Sequence, residues 1–365
     1  MQIDFHYYCI AVVCRAAGFN ANDSLTIAYA SQYTDDATES ELIRIQTEGD
    51  LKFDPVRTSY KGLEVIESIT WSAQKRIWIP FHFLPPAPFD PALHTTFNFV
   101  TQPAKENTFA DLLLKEAGNE PTSNYPYRLC RIGVALHAYA DTWAHRGFSG
   151  RYERSENDVE SIYLKNPKTD NFELLGIENV LFDSLPEIGH AEAGYFADLA
   201  YQHWKYKHQN EIVERDNPTD FITAAHEIYL KLSQMEKIGG ATPIDWDDLK
   251  PRIQKLFLTA GKKPKSYERY IMPAYRAFQA SDAKSRCVNW QREFTDLLPA
   301  GYEYDPYAWK REAIDQENIQ WDNYTEQDWA QMLPIKIKEG FWRSSWVNFH
   351  RAALHQRHLV LEHLP

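Results

Sequence analysis

The chain has 365 residues, 44% hydrophobic and 14% aromatic, enough for a large core in one big domain or in one domain with a smaller companion. No run of about eighteen apolar residues occurs, which argues against a membrane-spanning helix. The formal net charge of −12 argues against stable nucleic-acid binding, which relies on many Lys/Arg–phosphate contacts.

The first charge is Asp4, so the N-terminus lacks the basic region of a signal peptide and reads as a mature end. Cys9, Cys14, Cys130 and Cys287 form no CxxC and no regular framework, as expected of buried or free thiols in a reducing cytoplasm. The expectation is a soluble, cytoplasmic protein.

Helical signals dominate. Residues 4–17 form an amphipathic segment that Gly18 stops, and Asn22 or Asp23 caps the next, running to about Thr34. A helix is expected over 56–76. FHFLPPAPFDPALH (81–94) must be irregular, because proline breaks both helix and ladder. A short helix follows at 107–117, then a long one from Tyr127 to Arg146 with Gly147 as its C′ residue. Residues 150–185 read as an irregular excursion with a short β-ribbon, and helical pattern is expected again at 189–213 and 219–236. GGATP (239–243) is the linker candidate, and 244–365 reads as helical, ending in a helix from Glu339 to Glu362. The expected class is mainly α, with a helical metal-binding core over 1–217 and a helical C-terminal region, 218–365, packed on it or linked to it.

ALHAYADTWAHRGFSG (135–150) carries His137, Asp141 and His145 at steps of four. On a helix each such step drifts about 40°, so the trio spans about 80° of arc and about 12 Å of length. Two imidazoles that far apart do not share one ion at about 2.0–2.1 Å per bond. The solution the spacing predicts is two ions about 3.5–4 Å apart, Asp141 bridging, one histidine on each side. Small residues (Ala138, Ala140, Ala144, Gly147) leave room for them.

Further chemistry stands in DFHYY (His6, beside Asp4), QYTDDATES (Asp35, Asp36), FHFLPP (His82) and LPEIGHAEAGYFADLAYQHW (Glu187, His190, Glu192, Asp198). Together these phrases, with H-x3-D-x3-H-x-GFSG, resemble a bacterial family of unassigned activity. Its layout is similar to the zinc-dependent phospholipase C / P1 nuclease superfamily, helical enzymes that bind up to three zinc ions through a comparable series of His and Asp. The resemblance covers about residues 1–217. It implies His6 as an early ligand, Asp35 or Asp36 as the early acid with Asp36 taken as the ligand, and His82 as the loop histidine. His137 and Asp141 would complete one ion and the bridge; His145, His190 and a later acid would hold another.

Two departures stand out. The superfamily uses a free N-terminal amine as a ligand, whereas five residues precede His6 here; Asp4 is the candidate substitute. The superfamily's late acid follows its histidine by four residues, where this chain has Gly194. Asp198 or Glu192 must serve, and the AG-x3-D phrase favours Asp198.

Ligands of N and O type without cysteine suit Zn²⁺, with Mn²⁺ or Fe as alternatives. Two or three such ions bind phosphate-ester oxygens and lower the pKa of a bound water. Whichever of Asp35 and Asp36 does not ligate would orient or deprotonate that water, and Arg146 or Arg151 would neutralise developing charge.

The expectation is a metal-dependent phosphodiesterase acting on a small phosphodiester, nucleotide or phospholipid. A di-iron oxidative enzyme wants two Glu-x-x-His pairs, and Glu187–His190 is the one convincing pair. A non-catalytic alternative has metals stapling the fold while the Trp-rich C-terminal region, for example GFWRSSW (340–346), binds a partner. The histidines of the last helix, His350, His355, His358 and His363, are assigned no site.

Overall fold

The first helix, α1, opens as a π-helix over Asp4–Cys9 and continues as α-helix over Ile10–Ala16. This computed structural model describes residues 1–39, 42–46, 49, 51–60, 69–93, 95–166, 168–175, 187–262, 272–315 and 334–365, with the side chains of 272–277 outside that description. Helix α2 (Ala21–Asp36) is capped by Asn20, which accepts from the Asp23 N–H at 2.9 Å, two residues earlier than the expected cap. A two-stranded ribbon follows, β1 (Ile43–Arg44) with β2 (Lys52–Phe53).

The helix expected at 56–76 does not begin there. Residues 56–60 are non-helical, 61–68 lie outside the described residues, and helix α3 runs through Trp71–Ala73, Gln74–Trp78 (π) and Ile79–Phe81. Helices α4 (Thr108–Gly118) and α5 (Tyr127–Ala144) follow, and Gly147 leaves α5 at φ +87°.

After a helical turn, α6 (Arg154–Asn157), the chain builds a four-stranded antiparallel sheet. Its strands are β3 (Ser161–Lys165), β4 (Phe172–Leu174), β5 (His203–His208) and β6 (Glu211–Asp216), in the order β4-β3-β5-β6. The helix expected over 189–213 is therefore wrong: that stretch is a set of turns followed by a β-hairpin. HWKYKH alternates, with Trp204 and Tyr206 buried and Lys205 and Lys207 on the other face, the period-2 signature of a half-buried strand.

Helices α7 (Asn217–Gln234), α8 (Trp246–Phe257), α9 (Met272–Glu293), α10 (Ala308–Ala313) and α11 (Ser345–Leu361) complete the chain. Among the described residues the fold is helix-dominated, about half helix and a tenth strand, with two small sheets. GGATP is irregular but tied down, the Ala241 N–H donating to Gly18 O at 2.8 Å. Among the described residues no helix is long and apolar enough to cross a membrane, and the four cysteines are buried free thiols.

The main core draws on residues either side of position 217. Phe5 stacks on Phe257 (5.6 Å) and meets Phe221 edge-on, and the Trp346 indole donates to the Tyr33 hydroxyl at 3.0 Å. Phe341 and Trp346 of GFWRSSW are buried in that core, whereas Trp342 is exposed. A second cluster lies under the sheet, around Phe83, Phe148, Ile162, Trp204 and Tyr206.

Helices α2 and α5 approach most closely at Gly133, where a Cβ would sit 2.5 Å from both Ala30 Cβ and Ile27 O. Gly133→Ala is expected to cost about 1–3 kcal/mol by overpacking, measured as a lower urea midpoint at unchanged slope.

Candidate metal centre

Every residue of α5 from Arg128 to Ala144 is buried, so its polar side chains must find partners within the protein. Asp141 is the hub. Its Oδ2 lies 3.2 Å from His137 Nε2 and 3.4 Å from His82 Nδ1. Its Oδ1 lies 3.1 Å from His6 Nε2 and 2.5 Å from the Met1 amino nitrogen. Asp35 Oδ1 completes this pole at 3.5 Å from His137 Nε2 and 3.8 Å from His82 Nδ1.

Asp198 makes a second pole. Its Oδ1 is 3.2 Å from His145 Nε2 and 3.2 Å from the Met1 nitrogen, and its Oδ2 is 3.4 Å from His190 Nε2. The ligating atoms of His82, His137 and Asp141 lie within 4.8 Å of one another, as do those of His6, Asp35 and His137, and those of His145, His190 and Asp198.

The backbone supplies the orientation. His137 Nδ1 donates to Ser31 O (2.8 Å), His82 Nε2 to Thr58 O (2.9 Å), His145 Nδ1 to His82 O (2.7 Å) and His190 Nδ1 to Gly194 O (3.0 Å). A carbonyl oxygen can only accept, so in each neutral ring the proton sits on that outer nitrogen. The inner nitrogen keeps its lone pair toward the carboxylates. His6 is the exception, its Nδ1 buried without a hydrogen-bond partner. The rings also pack on one another: His6 stacks on His137 (3.9 Å), and His145, Phe83 and His190 form a mutual cluster with centroids 4.5 Å, 4.6 Å and 5.9 Å apart.

Local structure explains the placement. His6 rides the π-wound start of α1, and His82 follows α3, whose middle is the π stretch Gln74–Trp78; π-turns offset side chains from ordinary helical positions. Pro85 and Pro86 prevent that helix from continuing, while His145 sits one residue past α5 with its N–H on Asp141 O (2.8 Å).

Burial, followed by His137 and the amine, lowers His6 well below the usual imidazole range, and burial brings His145 to about 4. Burial opposes ionisation of Asp141, yet His145, the amine, His137 and His6 outweigh it and hold that carboxyl well below its usual range. His137 goes up despite burial, because Asp141 and Asp35 favour its charged form. Burial likewise opposes charge on the Met1 amine, but Asp141, Asp198 and Asp35 raise it to about 11. The field of the centre thus holds Asp141 and Asp198 ionised and His6 and His145 neutral, and favours the charged forms of His137 and the amine.

His6, His82, His137, Asp141, His145, His190 and Asp198 thus meet in space. Other expectations need correction. Asp35, not Asp36, faces His82 and His137; Asp36 Oδ2 instead accepts from Gln32 Nε2 at 3.1 Å, because adjacent helical residues point about 100° apart. Asp4 does not replace the amine: its Oδ2 accepts from Arg286 Nε at 2.8 Å. Glu192 accepts from the Val159 N–H at 2.9 Å, leaving Asp198 as the late acid. Arg146 pairs with Asp220 at 3.4 Å, and Arg151 with Glu156 at 2.9 Å, neither being directed at the carboxylate cluster by these bonds.

The approach of the Met1 nitrogen to Asp141 and Asp198 was not anticipated, nor were the four pinning carbonyls. A main-chain carbonyl leaves no mark in residue identity, and the amine's position depends on how the first turn is held.

Among the C-terminal histidines, His350 is buried with Nδ1 accepting the Val56 N–H at 3.0 Å. Burial and then Lys310 lower its pKa from 6.5 to about 3. A folded-state pKa below the unfolded one means that stability is full above pH 6.5 and is lost as pH falls toward 3, about 2 kcal/mol of it by pH 5. In His350→Gln, stability at pH 5 relative to pH 7 should recover by about that amount in paired urea titrations; an unchanged difference would reject the assignment.

The profile described as Family of unknown function (DUF6765) matches residues 1–364. No curated protein and no solved structure matches the chain.

Proposed function

From a chain that belongs to the Family of unknown function (DUF6765), we propose a metal-dependent hydrolase of phosphate esters, most simply a phosphodiesterase acting on a small substrate. The observation that carries this reading is the set of four imidazoles pinned outward by carbonyls, with inner nitrogens 3.2–3.4 Å from the Asp141 or Asp198 oxygens. The orphaned His6 Nδ1 in the same cluster fits a group that the protein alone does not satisfy.

His6, His82 and His137 would hold one ion and His145, His190 and Asp198 another, with Asp141 between, leaving Asp35 beside the first. The similarity to the phospholipase C / P1 nuclease superfamily is consistent with that set. Zn²⁺ suits all-His/Asp ligation, and Mn²⁺ is the next candidate. Divalent ions there would polarise a phosphoryl oxygen and bring a water's pKa near neutrality.

The chain's own groups do the rest. Asp35 has the most exposed side chain of the set, at 33%, and stands where solvent reaches the cluster, suited to orient the attacking water or take its proton. His190 and Asp198 are 17% and 14% exposed, so access is narrow, which favours a small phosphodiester over a long polymer.

The oxidative alternative loses its acid, because Glu187 pairs with Arg154 (3.6 Å) while His190 turns to Asp198. The alternative of a partner-binding C-terminal region keeps only Trp342 of the GFWRSSW aromatics exposed.

The test is elemental mass spectrometry on protein purified without a nickel column, with bis-p-nitrophenyl phosphate hydrolysis in parallel. Two or three equivalents of zinc or manganese per chain, lost in Asp141→Ala together with hydrolysis, are expected. No stoichiometric metal after reconstitution would overturn the reading, and predominantly iron would favour oxidative chemistry.

A further inference from the structure

Arg286, on α9, is nearly fully buried and belongs to the C-terminal region, yet its contacts are at the other end of the chain. Its Nε donates to Asp4 Oδ2 at 2.8 Å, one Nη reaches Gln2 Oε1 and Asp4 Oδ1, and the other pairs with Asp282 one helical turn back. Asp282, also fully buried, accepts from the Tyr201 hydroxyl at 3.2 Å and from the Lys262 N–H at 2.6 Å. The guanidinium lies over the Tyr201 ring, 5.5 Å from its centroid.

The two segments gripped in this way are informative. Gln2 and Asp4 flank the turn that carries Met1 and His6 into the centre, since the His6 N–H donates to Gln2 O at 3.0 Å. Tyr201 lies in the turn Leu199–Gln202, directly after the turn closed onto Tyr195 O that carries Asp198. Each segment delivers a donor to the cluster, and among these contacts the Arg286–Asp282 pair touches both.

We propose that Arg286 and Asp282 are positioning residues that set the spacing between the Met1–His6 turn and Asp198. The Asp198 pole is thereby assembled by a helix that supplies no ligand to it. The consequence for metal binding rests on the reading above; the clamp itself does not. A bidentate, planar guanidinium is suited to this because it fixes angle as well as distance, which a lysine ammonium does not.

The experiment compares wild type, Arg286→Gln, Tyr201→Phe and a control, Arg252→Gln. Arg252 bonds Asp296 and the Glu293 carboxylate, a comparable ion-pair cluster between α8 and the C-terminal end of α9 that touches neither turn. Amide hydrogen exchange of metal-free protein is read on peptides covering Phe5–Tyr8, Asp198–Tyr201 and Leu136–Trp143.

Arg286→Gln should speed exchange at least about tenfold in the first two peptides and leave the third unchanged. Tyr201→Phe, a milder change that keeps the guanidinium, should speed only the second. The control should move none. Metal content should fall by one equivalent in Arg286→Gln, matching Asp198→Asn, with no further loss in the double variant.

Unchanged exchange at both turns in Arg286→Gln would overturn the clamp, as would a uniform rise over all three peptides. Should Arg286→Gln fail to fold, Tyr201→Phe decides by the same criterion at its own turn. Metal-free wild type with the expected exchange pattern would remove the metal reading and leave the clamp standing.

Discussion

Arg215→Met is expected to lower the free energy of unfolding by about 3–5 kcal/mol, among the largest losses available to a single side chain of this protein. Arg215, on β6, is fully buried, and its Nη atoms donate to Trp143 O (2.8 Å), Ala144 O (3.0 Å) and Arg146 O (3.1 Å). Those are carbonyls of the last turn of α5 and the residues just past it. There the helix has run out of its own donors and its dipole is negative.

Methionine fills the space but leaves those carbonyls without their buried donor and withdraws a cation from Asp220 (3.7 Å). The same turn holds His145, so on the proposed metal reading the variant should also weaken metal binding at the Asp198 pole. Arg215→Lys keeps the charge but cannot reach three carbonyls in a plane, and should recover less than half of the loss. Urea denaturation checks both, and a loss below about 1 kcal/mol for Arg215→Met would show that the carbonyls find other donors.

Gly189→Ala should be the most damaging single methyl addition near the centre. Gly189 has φ +56°, and a Cβ there would lie 2.1 Å from Phe83 Cζ. The backbone term costs about 1–2 kcal/mol and displacement of the ring about 1–3 kcal/mol more. The ring has little room to move, because Phe83 stacks on His145 at 4.5 Å and meets Trp78 on another side.

The expected result is a loss of about 2–5 kcal/mol, accompanied, on the proposed metal reading, by weaker metal binding at His145 and His190. Phe83→Leu in the Gly189→Ala background, which removes the colliding ring atoms, should restore part of the stability. If the double variant is no better than the single one, the collision is not the cause.

The ligand pattern was legible because it is local where it matters most. His137, Asp141 and His145 announce themselves by a spacing of four, and the phrases around His6, His82 and His190 are short and distinctive. Choosing between Asp35 and Asp36 was not legible, since adjacent residues on α2 face different sides and its apolar face is blurred by small residues. The β3–β4 half of the four-stranded sheet falls where a short β-ribbon was expected in 150–185, but β5 and β6 were missed because they are charged strands that follow an alanine-rich stretch; the alternation in HWKYKH was the available sign. Arg215 and Arg286 were out of reach for another reason. Each acts about 70 to 280 residues away along the chain, on partners that no local window contains.

The four carbonyls that hold the histidine rings belong to Ser31, Thr58, His82 and Gly194. Because the grip is made by main chain, exchanging the side chains of Ser31 or Thr58 leaves the hydrogen bond itself in place. Tautomer choice at the centre is thus written into the path of the backbone. Small side chains that fit the buried space at Ser31 and Thr58 would leave the imidazoles aimed, whereas a one-residue insertion near either position would turn a ring away without altering any residue of the cluster.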